Sequence, residues 1–351
     1  MILHNTLYRT SALGLLTMLS FSGCNKVDPV PVDTPLIPIK TEALKAYKSN
    51  MMSRPVTIGI LNGWKATNGV MLISTPDSLD VIVVKDVSSE LTSAQTEDLK
   101  NVREKKLTKV LLSCDLYSVD EAAAKELKTR QTAERKSLIA TWKGDAVPDE
   151  ETQSKLLADL EKKVNEEVVA KAIASEKGYV ETIYKVVNES GFDGIYVKLP
   201  ASFGVLSRAH TKDFLGGMLS ETVEKGKYLA VATPFEDARA EIEKATWVIY
   251  DHKVIEHRIS AISSEAAAWS NNRYLPMVDL ADDTNSAGFL DSKIFSPDGV
   301  ANRITETIFW TAPNRAGVVF DHIEKVAVYN EQQKTTYVDL KNYINQVALT
   351  K

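Results

Sequence analysis

The sequence predicts an α/β protein of one kind, a (β/α)8 TIM barrel with a helical insertion between its third strand and third helix. Two observations carry that expectation. Short runs of β-branched and aliphatic residues alternate with amphipathic helical stretches from Val56 to Ala348, giving eight strand-helix units, which is the pattern of a parallel sheet built from βαβ crossovers. One of these runs, Leu107 to Cys114, is almost continuously apolar, as suits a parallel strand covered on both faces. Length alone permits one barrel or two smaller domains. The 351 residues, 44% of them hydrophobic, suffice for a large core.

Taken in order, Thr41–Met52 reads as a lead-in helix, Val56–Leu61 as the first strand and Asp80–Val84 as the second. Ser93–Lys106 is an amphipathic helix with Leu99 and Val102 inward. From Val119 to Ser190 the chain is rich in Ala, Glu and Lys, and Gly144 and Pro148 divide it into at least two helices. Val164–Val187 serves as the crossover helix, which leaves residues 118–160 as the insertion. Beyond the fourth strand, helices are expected at Thr211–Glu224, Glu236–Lys244, Ile255–Trp269, Gly299–Thr311 (N-capped by Asp298) and Tyr337–Ala348. The intervening strands are Tyr228–Thr233, Thr246–Asp251, Leu275–Leu280 and Gly317–Phe320.

The fourth strand is the most informative stretch, Gly191-Phe192-Asp193-Gly194-Ile195-Tyr196-Val197-Lys198-Leu199-Pro200. Side chains alternate across a strand, so Ile195, Val197 and Leu199 share the face under the helices. Tyr196, Lys198 and Pro200 share the other, which points into the barrel near the end where barrel active sites lie. The stretch resembles the signature of family 18 glycoside hydrolases, the chitinase and endo-β-N-acetylglucosaminidase family. Gly191 to Ile195 match its Gly-Phe-Asp-Gly-Ile, and Asp193 is the first Asp of the acidic series DxxDxDxE that follows. The next three acidic positions hold Tyr196, Lys198 and Pro200. The resemblance implies that Pro200 replaces the general acid and Lys198 the Asp that orients the substrate acetamido group, itself the nucleophile in this family. It therefore implies the fold and argues against the reaction. More weakly, Tyr250-Asp251 is similar to the pair that contacts the acetamido group in active members, and Ser113-Cys114-Asp115-Leu116 keeps only the Ser of the family's Ser-x-Gly-Gly.

The chain begins with a weakly basic segment and an apolar run, Ser11–Ser22, too short to span a bilayer but suited to a secretory signal. It ends in Phe21-Ser22-Gly23-Cys24, which looks like a bacterial lipobox with Phe21 in place of the usual Leu. Residues 1–23 are thus read as a lipoprotein signal peptide and Cys24 as the lipidated residue. Residues 24–40, with Pro29, Pro31, Pro35 and Pro38, form a tether, and residues 41–351 the barrel. Cys114 is the only other cysteine; without a partner it reads as a small buried hydrophobe. A formal net charge of −5 without a basic cluster disfavours nucleic acid as a partner.

Among other residues, Asp115, Asp251, Asp279 and Asp321 fall at strand ends, where they cap turns or supply acid and base. The five histidines show no ligand spacing, so no metal is expected, and no phosphate-binding loop implies a cofactor. Trp64, Tyr117, Phe203, Phe235, Tyr250, Tyr274 and Phe295 lie at strand ends or in the following loops, where flat rings suit the apolar faces of sugars. The expectation is a lipid-anchored, non-catalytic glycan-binding protein at the outer membrane surface, working with other glycan-uptake proteins. Its glycan contacts would be Trp64, Tyr196, Lys198, Phe235, Tyr250 and Asp251. By resemblance, the ligand contains N-acetylglucosamine, as N-glycans do. The alternative is an active hydrolase with relocated carboxylates.

Overall fold

Each apolar run becomes a strand that pairs with its sequence neighbours, and the eighth closes onto the first. The computed structural model describes residues 41–66, 70–85, 87, 90–199, 205–206, 208–232, 242–251, 258–269, 273–294, 302–332 and 334–350. The strands are β1 (Val56–Leu61), β2 (Val81–Val84), β3 (Lys109–Asp115), β4 (Gly194–Lys198), β5 (Tyr228–Ala232), β6 (Trp247–Asp251), β7 (Tyr274–Asp279) and β8 (Gly317–Asp321). All pair in parallel in sequence order, and β1 meets β8 with Val56 opposite Gly317. The described helices are α1 (Thr41–Ser49), α2 (Ser93–Lys105), α3 (Leu116–Ala140), α4 (Glu150–Ser190), α5 (Arg208–Thr222), α6 (Ile259–Ala267), α7 (Arg303–Phe309) and α8 (Val338–Val347). The expected (β/α)8 barrel is the observed fold.

Strand alternation divides the core into two layers. Ile58, Ile60, Val81, Val83, Leu111, Tyr196, Trp247, Ile249, Met277 and Val319 fill the barrel, and Met51 joins the same cluster. Ile82, Leu112, Ile195, Val197, Val248 and Phe320 face outward under the helices. Cys114 lies in that outer layer with no exposure, and burial pushes its thiol pKa well up, as befits an inert packing residue.

The foot of β4 explains why its glycines stand where they do. Gly191 ends α4 in the left-handed conformation, φ 80° and ψ 26°, where a Cβ is disfavoured. A Cβ on Gly194 would sit 2.0 Å from the carbonyl oxygen of Tyr228 on the neighbouring strand, so no other residue fits there. Between them, Phe192 is buried in the outer layer, edge-on to Trp64 with ring centres 6.5 Å apart. Asp193 accepts hydrogen bonds from Arg103 Nε at 3.0 Å and Arg103 Nη2 at 3.2 Å. It accepts another from the Val110 amide at 3.0 Å. The Lys109 ammonium lies 3.5 Å away.

Two boundaries differ from the sequence reading. The crossover helix and the second insertion helix are one continuous 41-residue α4, roughly 60 Å long at 1.5 Å per residue. No residue in that run breaks a helix except Gly178, which an exposed helical position tolerates. α4 runs antiparallel to α3, joined by the ion pairs Lys171–Glu126, Arg130–Glu167 and Arg135–Glu161. Helix α7 starts later than expected, and its cap is Asn302, whose Oδ1 accepts from the Thr305 amide at 2.8 Å; Asp298 lies outside the described residues. The signal peptide, the tether and most of the helix expected over Glu236–Lys244 lie outside them too.

Candidate functional site at the barrel mouth

Continuing each inward face to the C-terminal end of its strand brings a ring of polar residues to one rim. Asn62 follows β1 and Lys85 follows β2, while Asp115, Lys198, Asp251, Asp279 and Asp321 end β3, β4, β6, β7 and β8. This is the end at which barrel enzymes carry their sites. Below it the barrel is closed by apolar side chains, so the ring forms the floor of the mouth.

On the β7–β8 side the groups satisfy one another. Asp279 and Asp321 are opposite in register and only 7% and 5% exposed, so their charges need partners. Lys85 Nζ lies 3.1 Å from Asp321 Oδ1, reaching across from β2. His322 Nδ1 lies 2.6 Å from Asp279 Oδ1, while its own amide donates to Asp321 Oδ1 at 2.9 Å. His322 has φ 57°, an uncommon conformation for a non-glycine residue, and it sets the ring between the two carboxylates. Asp279 also accepts from the Ala281 amide at 2.9 Å. Nearby, Glu324 accepts from the Asn62 amide at 3.1 Å. Asp279, Asp321 and His322 could each turn one donor toward a cation, with the donor atoms within 4.8 Å of one another. Lys85 already supplies a positive charge to Asp321 and His322 lies against Asp279, so the carboxylates are engaged by the protein's own groups.

The β3–β4 side is different. Tyr196 is 1% exposed and belongs to the barrel filling, one layer below the rim. Lys198 is half-buried at the rim, its ammonium 5.7 Å from the centre of the Tyr117 ring. Tyr117, in the first turn of α3, is 41% exposed. Asp115 stands opposite Lys198 in register but caps α3: its carboxylate accepts from the Ser118 amide at 3.3 Å and the Ser118 hydroxyl at 3.2 Å. Among the described residues Lys198 has no ion pair or hydrogen bond. The segment after β4 is fastened to the helical hairpin by Asp120, which accepts from the amides of Val205 and Leu206 at 2.9 Å each.

Three expected glycan contacts do not reach the mouth: Tyr196, already placed in the barrel filling, Trp64 and Tyr250. Trp64 is 4% exposed, with its indole N–H donated to Asp98 Oδ2 at 2.8 Å. That carboxylate, buried within α2, also takes the amides of Leu72 and Ile73, and it draws the indole into the layer behind β1. A buried Asp on the inner face of an amphipathic helix was the available signal. Tyr250 faces outward at 3% exposure, its ring 6.0 Å from that of Tyr274. Strand alternation forbids Tyr250 and Asp251 from sharing a face, and Trp247 and Ile249 hold the inner one. Tyr274 is likewise fully buried. Asp193 sits at the foot, five positions below Lys198, or roughly 16 Å at the rise of a strand, so it belongs to the fold rather than to the mouth. Phe203, Phe235, Phe295, Pro200 and the side chain of Asp251 lie outside the described residues. Lys85, Asn62, His322 and Glu324 were not singled out from the sequence. Lys85 was readable as the polar end of Val-Ile-Val-Val-Lys, whereas the partners of His322 come together only through closure of the barrel.

A closed parallel barrel with a polar ring over an apolar filling is the class that houses sites at the C-terminal rim. Residues 35–170 match the family described as glycoside hydrolase family 18, BT1044-like. A solved selenomethionine Glu-to-Gln variant of BT1044 is similar at 16% identity and a TM-score of 0.60, covering 90% of this chain and 96% of that one. The apo endo-β-N-acetylglucosaminidase of Cordyceps militaris is similar at 15% identity and a TM-score of 0.55, covering 88% and 96%. A mutant of that enzyme in complex with fucosyl-N-acetylglucosamine-Asn aligns at 14% identity and 0.55, with the same coverage. At such identities the likeness is one of fold. No curated protein matches the chain. The protein is a TIM barrel whose residues 35–170 resemble the family 18 glycoside hydrolases.

Proposed function

We propose that the chain is a non-catalytic glycan-binding lipoprotein, held by lipidated Cys24 at the outer face of the outer membrane and serving a glycan-uptake system. Glycans containing N-acetylglucosamine, N-glycans among them, are the proposed ligands. The observation that carries this reading is the end of β4. There Tyr196, Lys198 and Pro200 occupy the acidic positions of the family signature. Tyr196 is packed inside the barrel and Lys198 carries the wrong charge to stabilise a developing cation. Proline has no proton to give. Loss of a general acid alone usually costs about 10²–10⁴ in rate. Support for the ligand class comes from the likeness to the Cordyceps militaris enzyme whose mutant is complexed with fucosyl-N-acetylglucosamine-Asn.

The rival reading, hydrolysis by relocated carboxylates, has Asp279 and Asp321 to draw on. Both already accept hydrogen bonds from Lys85, His322 or backbone amides, an arrangement that suits holding hydroxyl groups better than donating a proton. The full chain incubated with a chitin oligomer and an N-glycan should bind without turnover. Hydrolysis at the pace of ordinary family members would sink the reading in favour of the rival. No helix among the described residues is long and apolar enough to cross a membrane; the apolar run ending in Phe21-Ser22-Gly23-Cys24 is what supports Cys24 as the anchor. Cys24→Ala should then leave the membrane fraction, and its persistence there in high salt would place the anchor elsewhere.

A further inference from the structure

The mouth holds one imbalance. Every other charged rim group with a described side chain has its partner: Lys85 with Asp321, Asp279 with His322, and Asp115 with the first turn of α3. Glu324, just past β8, is matched with Asn62. Lys198 alone among them has, among the described residues, no charged or hydrogen-bonding partner, only the ring of Tyr117 beside it. A half-buried ammonium has already given up part of its hydration, so an anion that reaches it gains a charge-assisted hydrogen bond that bulk water screens less. A neutral ligand covering the same spot would strip the remaining water from Lys198 and return no negative charge, which is costly. The ligand that suits Lys198 therefore carries an anion.

Tyr117 narrows the choice further. Its ring is 41% exposed on the rim, 5.7 Å from the Lys198 ammonium, and a pyranose stacks its C–H face on such a ring. A sugar lying on Tyr117 with a carboxylate at its edge would place that carboxylate over Lys198. The two side chains come from different elements, α3 and β4, and register pairing of Asp115 with Lys198 holds them together. Asp115, the nearest carboxylate in register, is turned to the helix cap and does not neutralise the lysine.

We propose that the β3–β4 side of the mouth is an acidic-sugar subsite, in which Lys198 binds the carboxylate of a uronic or sialic acid residue stacked on Tyr117. The proposal rests on the glycan-binding reading above and specifies its ligand. Titration calorimetry of the full chain with three probes tests it: a hyaluronan hexasaccharide (uronate), sialyllactose (sialate) and chitohexaose (neutral). At least one acidic probe should bind more tightly than chitohexaose, and which one identifies the source of the carboxylate. Lys198→Met should weaken that binding about tenfold, as for a lost charge-assisted contact, and narrow or abolish the preference over chitohexaose. Lys198→Arg should hold the affinity within about threefold, since the charge is kept. Tyr117→Ala should weaken it about fivefold, as for a lost aromatic anchor. Chitohexaose binding as tightly as both acidic probes, or Lys198→Met binding like the parent, would overturn the subsite and leave the glycan-binding reading standing. Binding of none of the three would overturn both.

Discussion

The two ends of β4 are built on opposite principles. At the foot, Gly191 to Ile195 are locked: a left-handed helix end, a buried ring, an aspartate held by Arg103 and the Val110 amide, and a glycine with no room for a Cβ. At the rim, three residues further on, Lys198 has no polar partner among the described residues. The five residues at the foot that resemble the family 18 signature each have a packing or hydrogen-bonding task in the fold. The rim positions face an open mouth, where packing dictates little and chemistry is free to change. Resemblance at the foot of the strand thus speaks to architecture, whereas activity turns on the residues at the rim.

The sharpest way to break this contrast is Gly194→Ala. A methyl group 2.0 Å from the Tyr228 carbonyl cannot be accommodated without parting β4 from β5, so a loss above about 4 kcal/mol is expected. Denaturant unfolding, or failure to obtain folded protein, reads it; parent-like stability would mean that the foot is not rigid. Next in size is Asp193→Asn, which keeps the shape but removes the charge facing Arg103 and Lys109. Because Arg103 is partly exposed, a loss of about 2 kcal/mol is expected, against less than about 0.5 kcal/mol for Lys198→Met at the rim. Equal losses at the two sites would erase the contrast.

Trp64→Phe sharpens it, since Trp64 belongs to the outer layer behind β1 rather than to the mouth. Losing the hydrogen bond to Asp98 should cost about 1–2 kcal/mol in stability while glycan affinity stays unchanged in calorimetry. A drop in affinity without a drop in stability would return Trp64 to the binding surface. The smallest expected effect is a pH dependence from Lys48 on α1, which reaches the foot through the carbonyl of Leu79 and the hydroxyl of Thr108. Burial lowers its pKa to about 8 from 10.5. Between those values the unfolded chain holds the proton and the folded one does not, so stability rises with pH above 8. Burial raises Tyr47 to about 12 from 10.0, so above pH 10 the folded state is the one holding the extra proton and stability falls. Cys114, raised from 9.0 by burial, likewise keeps its proton longer when folded, so a maximum near pH 9 is expected, with a rise on the order of 1 kcal/mol, and Lys48→Met should flatten the rising limb. A rise that survives this substitution would assign it to another group.

How far the sequence reached depended on how local each feature is. The eight strands, the split of β4 into a helix-facing and a barrel-facing side and the break at Gly144 and Pro148 all follow from short-range pattern, because alternation and helix breaking are properties of neighbouring residues. The family 18 resemblance rested on five consecutive residues and held for the fold. Trp64 was misplaced because its position hangs on Asp98, 34 residues away. Tyr250 was misplaced although the signal was local, since its alternation with Asp251 already set it facing out.

By itself, then, the sequence determined the barrel, the presence of Tyr196, Lys198 and Pro200 rather than carboxylates at the end of β4, and the cysteine at position 24 that the proposed anchor uses. Tertiary structure alone decided which rim charges are matched. Lys85 and Asp321 lie 236 residues apart and meet because β1 pairs with both β2 and β8, while the unmatched Lys198 meets Tyr117 because β3 pairs with β4. Charge balance is a property of distances between side chains, and in a closed barrel those distances are set by the register of strands far apart in the chain.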